Sequence, residues 1–171
     1  MALTRKPKAM TTVVGKKRTR VARDAKRRKQ GNAAVAKMRG WHEKNTSRCP
    51  VGSHDSSGKG VAWLGHCAHS VACAYGRFSS GWNAIDGWFG TAEKYRRTGA
   101  KKANPPRGAL VFWAGGSQGY GHVGIANGRG KFWGVDLPTS GKIGLVGIDV
   151  PAQQWGLRYL GWIWFDEVAG W

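Results

Sequence analysis

Charge divides this chain into two parts, and this division constrains the fold more than any other feature of the sequence. Residues 1–48 contain 16 of the 28 Lys and Arg residues but only two acidic residues, so they carry +14 of the net charge of +19. Their only aromatic residue is Trp41. A segment of this composition cannot bury enough apolar surface to offset the entropy lost on ordering. The sequence therefore predicts a basic tail over residues 1–48 that is disordered, or helical over about residues 20–39 only when bound.

After the tail, the pattern predicts a linker at residues 49–60, where the stretch PVGSHDSSGKG is rich in turn formers, and one folded domain at residues 61–171. An apolar run at 67–75 that ends at Gly76 predicts a helix, and a second helix is predicted over 83–97. Strands separated by glycine-rich turns are predicted at 109–113, 122–127, 131–135, 143–150 and 159–165. Helices followed by a run of strands are typical of an α+β fold, with N-terminal helices packed on a small antiparallel sheet.

Cys67 is the candidate nucleophile. It follows Gly65 and His66 and opens the helix predicted at 67–75. At a helix start, unpaired backbone N–H groups and the helix dipole favour a thiolate. The same N–H groups can hold the oxyanion of an acyl-transfer intermediate. The alternative is a cysteine that only packs the core, since free cysteines are often buried.

His122 is the candidate general base. It begins a predicted strand and has a glycine close by on each side, which leaves room for a substrate or another backbone. A histidine there, beside a helix-borne cysteine, would give the geometry of a thiolate–imidazolium pair. A third residue should orient the imidazole; Asp136, after the next strand, is the first choice and Asn127 the second. The weaker histidine candidates are His54, His66 and His69.

The other two cysteines are given no catalytic role. Cys73 lies in the middle of the predicted helix and is expected in the core, whereas Cys49 lies in the linker and is expected to be unstructured. Three cysteines cannot all pair, which leaves room for a free thiol. A zinc site is not expected, because no standard ligand spacing occurs among Cys49, His54, His66, Cys67 and His69.

Four segments resemble, in the same order, those of the CHAP and NlpC-type cysteine peptidases. Residues 65–76 (GHCAHSVACAYG) resemble that family's nucleophile helix, in which a cysteine opens the helix and an aromatic–glycine pair often closes it. Residues 83–88 (NAIDGW) resemble the following helix, and residues 106–113 (PRGALVFW) resemble a Pro-x-Gly-Asp-Leu-Val-Phe-Trp strand. Residues 121–130 (GHVGIANGRG) resemble the strand that carries the family's histidine. The resemblance covers about residues 61–165.

This resemblance implies a papain-like α+β fold and hydrolysis of an amide bond in bacterial peptidoglycan, by an amidase or endopeptidase that needs no metal or cofactor. Cys67 matches the nucleophile and His122 the base. Two positions depart from the family's pattern. Ala109 replaces the aspartate of the Gly-Asp-Leu strand, and Gly134 stands where many relatives carry a third polar residue. Asp136, two positions later on the same side of a strand, is assigned that role.

Ten tryptophans raise the question of sugar binding. Most of them alternate within predicted strands, where they are expected to form core. The three near the cysteine helix are the predicted substrate-binding residues: Trp63, Trp82 and Trp88.

Three kinds of partner fit the basic tail: anionic wall polymers, lipid, and nucleic acid bound through counterion release. The tail has no aromatic residue before Trp41 on which a base could stack, which argues against sequence-specific recognition.

No apolar run approaches the ~18 residues of a membrane span, and no secretory signal is convincing. Together with the small size, this suggests a bacteriophage lytic protein that acts at the bacterial cell wall, carried in the virion or released in the host during lysis. The alternative is a non-catalytic virion protein, whose papain-like domain is a scaffold and whose basic tail holds nucleic acid.

Overall fold

The computed structural model describes residues 11–51, 59–77 and 83–169 of the chain, with side chains from residue 19 onward. The helices are α1 (Thr11–Glu43), α2 (Cys67–Tyr75), α3 (Ala84–Gly90) and α4 (Val150–Trp155). The strands are β1 (Ala109–Ala114), β2 (His122–Gly128), β3 (Lys131–Val135), β4 (Ile143–Gly147) and β5 (Arg158–Trp164). Short 3₁₀ helices span Glu93–Tyr95, Gly99–Lys102 and Phe165–Glu167. The predicted α+β class is confirmed.

The five strands form one antiparallel sheet in the order β4-β3-β2-β1-β5. Strands β1 to β4 pair with their neighbours in sequence, and β5 returns to the free edge of β1. The turn between β2 and β3 holds Gly128, Arg129 and Gly130, all at positive φ. Glycine adopts this conformation without penalty, which accounts for the Gly-x-Gly pattern. The strand predicted at 143–150 ends at Gly147, because α4 then begins with a proline in its first turn.

The sheet has two faces with separate apolar clusters. Leu110 pairs with Ile125, and Phe112 pairs with Val123. Paired residues point to the same side of a sheet, and these four belong to the cluster that also contains side chains of α1, α2 and α3. We call this side the helix face. The other side, the back face, carries a second cluster that includes Ala109, Val111, Trp113, Phe132 and Leu157.

The two predicted helices differ in how well the sequence placed them. Helix α2 has the predicted bounds, and Gly76 ends it in the left-handed conformation, with its N–H bonded to Cys73 O. The helix predicted over 83–97 is shorter, because α3 stops at Gly90 and only a 3₁₀ turn follows. Its two interior glycines weaken it, and Thr91 already has an extended backbone.

Residues 19–43 of the segment expected to be disordered belong to α1, and those from residue 27 onward pack against the domain. Four apolar side chains of α1 recur at helical spacing and are buried on the helix face. Burial of a side chain such as Val35 or Met38 contributes roughly 1.5–3 kcal/mol. The stripe consists of only four residues among many cations, so composition alone did not reveal it: Ala34, Val35, Met38 and Trp41.

A buried ion-pair network joins α1 to the end of the domain. Arg27 is 4% exposed, and its guanidinium bonds Asp166 and Glu167 at 2.8 Å each. Arg97 also bonds Glu167. Burial alone would raise the pKa of Glu167, but hydrogen bonds and charge from Arg97 and Arg27 outweigh it and lower that pKa. One cation of the basic segment therefore has a structural role.

Cys49, expected to be unstructured, is instead buried and bonded to Cys73. Its N–H donates to Val61 O at 2.8 Å, which brings the chain after α1 alongside the chain before α2. Cys73 is fully buried, as expected. Of the predicted linker, residues 52–58 lie outside the described residues. None of the helices in the described part of the chain is long and apolar enough to span a membrane.

Candidate active site

Cys67 is the first residue of α2, and the loop before it is held from both sides. In that loop, His66 N–H donates to Trp63 O at 2.9 Å. Gly65, at positive φ, donates its N–H to Asp136 Oδ2 at 2.8 Å. These bonds fix the start of α2 against the end of β3. Among the described residues, Cys67 is the free cysteine.

Cys67 lies in a surface pocket of about 220 Å³ on the helix side of the sheet. His66, Asn83 and Tyr120 line this pocket with it. His66 is exposed, and Tyr120 is 58% exposed beside the opening. A substrate group of a few atoms can therefore reach the thiol from solvent.

The thiol of Cys67 is held in its neutral form. Although part of the residue reaches the pocket, burial raises the pKa of the thiol to about 11. Backbone N–H groups of Val123 and Ala68 point at the sulfur and oppose this rise, whereas the negative charge of Asp136 adds to it. A nucleophile in this state has to lose its proton as it attacks, so its chemistry depends on a general base.

The side chain of His122 points to the back face of the sheet. It pairs with Trp113 across β1 and β2, and their side chains share one face. Its ring centroid lies 5.9 Å from that of Trp113, 6.1 Å from Phe132 and 5.2 Å from Trp155. Cys67 packs against the helix-face cluster. The N–H of the residue after His122, Val123, is directed at the Cys67 sulfur, and the predicted Cys67–His122 pair stays a prediction.

The environment of His122 is that of a neutral structural side chain. It is 5% exposed, and its Nε2 has no hydrogen-bond partner. Burial lowers its pKa from 6.5 to about 4. It borders a second pocket of about 350 Å³, lined also by Ser117 and Trp155.

Neither residue predicted to orient His122 does so. Asp136 accepts hydrogen bonds from the backbone N–H groups of Gly65 (2.8 Å) and Gly141 (2.7 Å). Asn127 accepts from Arg107 and from Trp133 Nε1. Asp136 is close enough to Cys67 for its charge to act on the thiol, so it belongs to the candidate site as a residue that anchors the loop.

Two of the predicted substrate-binding tryptophans are core residues. Trp63 is fully buried against Trp41, with ring centroids 5.4 Å apart, and Trp88 is 3% exposed and packs on Phe112. Trp82 lies outside the described residues. The exposed aromatic side chain at the pocket is instead Tyr120, which the sequence analysis missed. Its glycine neighbours on both sides, each at positive φ, were the available signal for an exposed loop.

One cluster of metal-ligating side chains occurs within the part of the chain that the structure describes. The ligand atoms of Cys49, His69 and Cys73 lie within 4.8 Å of one another. His69 Nε2 is 3.2 Å from Cys73 Sγ, and burial lowers the pKa of this imidazole, with the neighbouring His66 adding to the effect. The disulfide uses both sulfur atoms. Two of the side chains weighed for zinc, His66 and Cys67, are not part of this cluster.

Comparisons of the chain with family models, with curated proteins and with solved structures found no match.

Proposed function

We propose that this protein is a cysteine-dependent hydrolase of amide bonds in bacterial peptidoglycan, with Cys67 as its nucleophile. The observation that carries the proposal is the Cys67 thiol itself. It opens a helix, borders a solvent-accessible pocket, and has the N–H groups of Val123 and Ala68 directed at it. Those donors are suited to the oxyanion that forms when a thiol attacks a carbonyl. The substrate class rests on the resemblance of four ordered segments to CHAP and NlpC-type peptidases.

In this proposal the base is His66 rather than His122. His66 is exposed and lines the same pocket as Cys67, whereas His122 is buried and borders a different pocket. The neutral thiol attacks the carbonyl carbon while His66 accepts its proton. His66 then protonates the leaving amine, which leaves a thioester on Cys67. Water, deprotonated by His66, hydrolyses the thioester and restores the free thiol.

Digestion of isolated cell walls tests the proposal. Purified protein is incubated with walls, and soluble products are identified by mass spectrometry, which also shows which amide bond is cut. Cys67→Ala is expected to abolish digestion, and His66→Ala to slow it by roughly 100-fold or more, the usual contribution of a general base.

Ser117→Ala is the matched control, because Ser117 lines the pocket that borders His122 and not the pocket that contains Cys67. It should digest walls at the rate of the unaltered protein. Full digestion by folded Cys67→Ala protein would rule out the thiol as the nucleophile. A large loss in His122→Ala with none in His66→Ala would return the role of base to His122.

A non-catalytic virion protein is the second candidate function. It is favoured by the raised pKa of the Cys67 thiol and the lowered pKa of the His122 imidazole, since both leave the thiol unactivated in the absence of substrate. It predicts that no wall preparation yields soluble products. It also predicts that Cys67→Ala changes only stability.

A further inference from the structure

The N-terminal part of α1 is the most highly charged surface that the proposed activity does not use. No side chain from residue 19 to residue 26 is buried, and the first buried one is Arg27. The helix starts at Thr11, so about 24 Å of it precedes Arg27 at 1.5 Å per residue. Five exposed cations lie within this part or just after it: Arg20, Arg23, Lys26, Arg28 and Lys29.

These cations surround the helix instead of forming one stripe. At about 100° per residue, the five side chains point in all directions around the axis. None of them forms an ion pair among the described residues, and Asp24 is the one acidic residue between them. A helix that lies on a membrane needs an apolar face opposite its charges, and this segment has none.

A basic groove continues this surface onto the domain. It has a volume of about 490 Å³ and is lined by two cations, Arg28 and Arg107, by one acid, Asp24, and by Asn32, Pro106 and the half-buried Trp164. Arg107 is held by neutral oxygens of Asn32 and Asn127 rather than by a carboxylate. Burial lowers its pKa, and the positive charge of Arg39 adds to this effect. The guanidinium is therefore fixed in place without a neutralising partner.

We propose that α1 binds duplex nucleic acid, with its N-terminal half in the major groove and a flanking phosphate strand in the groove at Arg28 and Arg107. An α-helix is about 10–12 Å across, and the major groove of B-form DNA is about 12 Å wide. A helix in that groove has phosphates on both sides, which matches cations on all sides. To bind a flexible polyphosphate of the cell wall, a helix needs only one basic stripe on its surface. To bind a membrane, it needs an apolar stripe. The inference does not depend on the role of Cys67.

Salt-dependent binding to a mixed-sequence 30-base-pair DNA duplex, measured by fluorescence anisotropy with the full chain, tests this inference. Lys26→Ala with Lys29→Ala removes two exposed cations of α1. Each lost phosphate contact lowers the slope of log affinity against log salt by about 0.9, so the double variant should lose about 1.8 from the slope and bind roughly 50-fold more weakly at 0.1 M salt. Alanine preserves the helix.

Lys101→Ala with Arg158→Ala is the matched control, because it removes two exposed cations away from α1. This variant should bind the duplex with the slope of the unaltered chain. Equal losses in the two double variants would mean that net charge alone drives binding and would overturn the proposal. Wall teichoic acid and vesicles of anionic phospholipid serve as competitors at equal phosphate concentration, and both should be at least tenfold weaker than unlabelled duplex. If either of these competitors displaced the labelled duplex as well as unlabelled duplex does, the proposal would also be overturned.

Discussion

The two titratable side chains singled out by the sequence, Cys67 and His122, are both held neutral by burial. Burial raises the pKa of the Cys67 thiol to about 11 and lowers that of the His122 imidazole to about 4. At neutral pH the structure therefore contains an uncharged thiol and an uncharged imidazole. A preformed thiolate–imidazolium pair would instead have a negative sulfur and a positive imidazole ring.

Alkylation of Cys67 by iodoacetamide should be slow at pH 7 and should accelerate up to about pH 11, because the thiolate is the reacting species. Against a small-molecule thiol with an ordinary pKa near 8.5, we expect a rate on the order of 100-fold lower at pH 7. Mass spectrometry of the peptide that contains Cys67 measures this rate. Alkylation faster than that of the reference thiol would show an activated thiolate and contradict the described environment.

His122 should make the protein sensitive to acid. The unfolded chain binds a proton at this histidine near pH 6.5, whereas the folded chain binds it only near pH 4. Stability is therefore fully present above pH 6.5 and falls as the pH drops towards 4, by up to about 1.4 kcal/mol per pH unit.

Denaturant unfolding at pH 7, 5.5 and 4.5 measures this effect for the unaltered chain and for His122→Gln. The glutamine variant should lose less stability over the same range, because it has no group that titrates there. If the free energy of unfolding fell equally with pH in the two proteins, His122 would not be held neutral by the fold.

At the scale of elements, α1 changes the picture obtained from the sequence. Its basic composition predicted disorder, yet the segment from residue 27 onward docks on the helix face through four apolar side chains and through Arg27. The helix thus has two parts. One half packs in the domain, and the other half carries exposed cations.

Arg27→Ala should destabilise the protein by roughly 3 kcal/mol, because it leaves the buried Glu167 without one of its two cation partners. Arg28→Ala is the matched control, since the adjacent Arg28 is exposed and should change stability by less than about 0.5 kcal/mol. Chemical denaturation monitored by tryptophan fluorescence compares the two. Similar stability of the two variants would argue that α1 is not anchored through Arg27.

Local patterns predicted the elements well but not the face on which each side chain lies. Residues 67–75 and the glycine after them contained all the information needed for α2, because the helix and its end depend on neighbours in sequence. Which side chains of β2 point to each face of the sheet depends on what packs against the strand. Val123 and Ile125 are the bulky apolar residues and occupy the helix face, which leaves His122 for the back face. That alternation is visible in the sequence.

At the scale of the whole molecule, the Cys49–Cys73 disulfide joins the chain that follows α1 to the helix that begins at Cys67. The sequence could not predict this bond, because Cys49 lies in a stretch with the composition of a linker. Its closure depends on the chain reversal at which Cys49 N–H meets Val61 O.

Removal of this bond in Cys49→Ser with Cys73→Ser should cost roughly 2–4 kcal/mol of stability, the usual contribution of a disulfide that closes a loop of this size. Thermal unfolding with and without reductant measures it. The reductant should lower the melting temperature of the unaltered chain and leave that of the double variant unchanged. A melting temperature that is insensitive to reductant in both proteins would indicate that the two sulfurs are not bonded in solution.

The proposal that Cys67 is the nucleophile is tested most directly by trapping a covalent intermediate on this residue. The protein is incubated with wall peptides, quenched in acid within the first turnover, and digested for mass spectrometry of the peptide that carries Cys67. A thioester-linked stem-peptide fragment is expected on Cys67, absent from Cys67→Ala protein and more abundant when hydrolysis is slowed by His66→Ala. Wall digestion without any adduct on Cys67, or no digestion and no adduct under any condition, would contradict it.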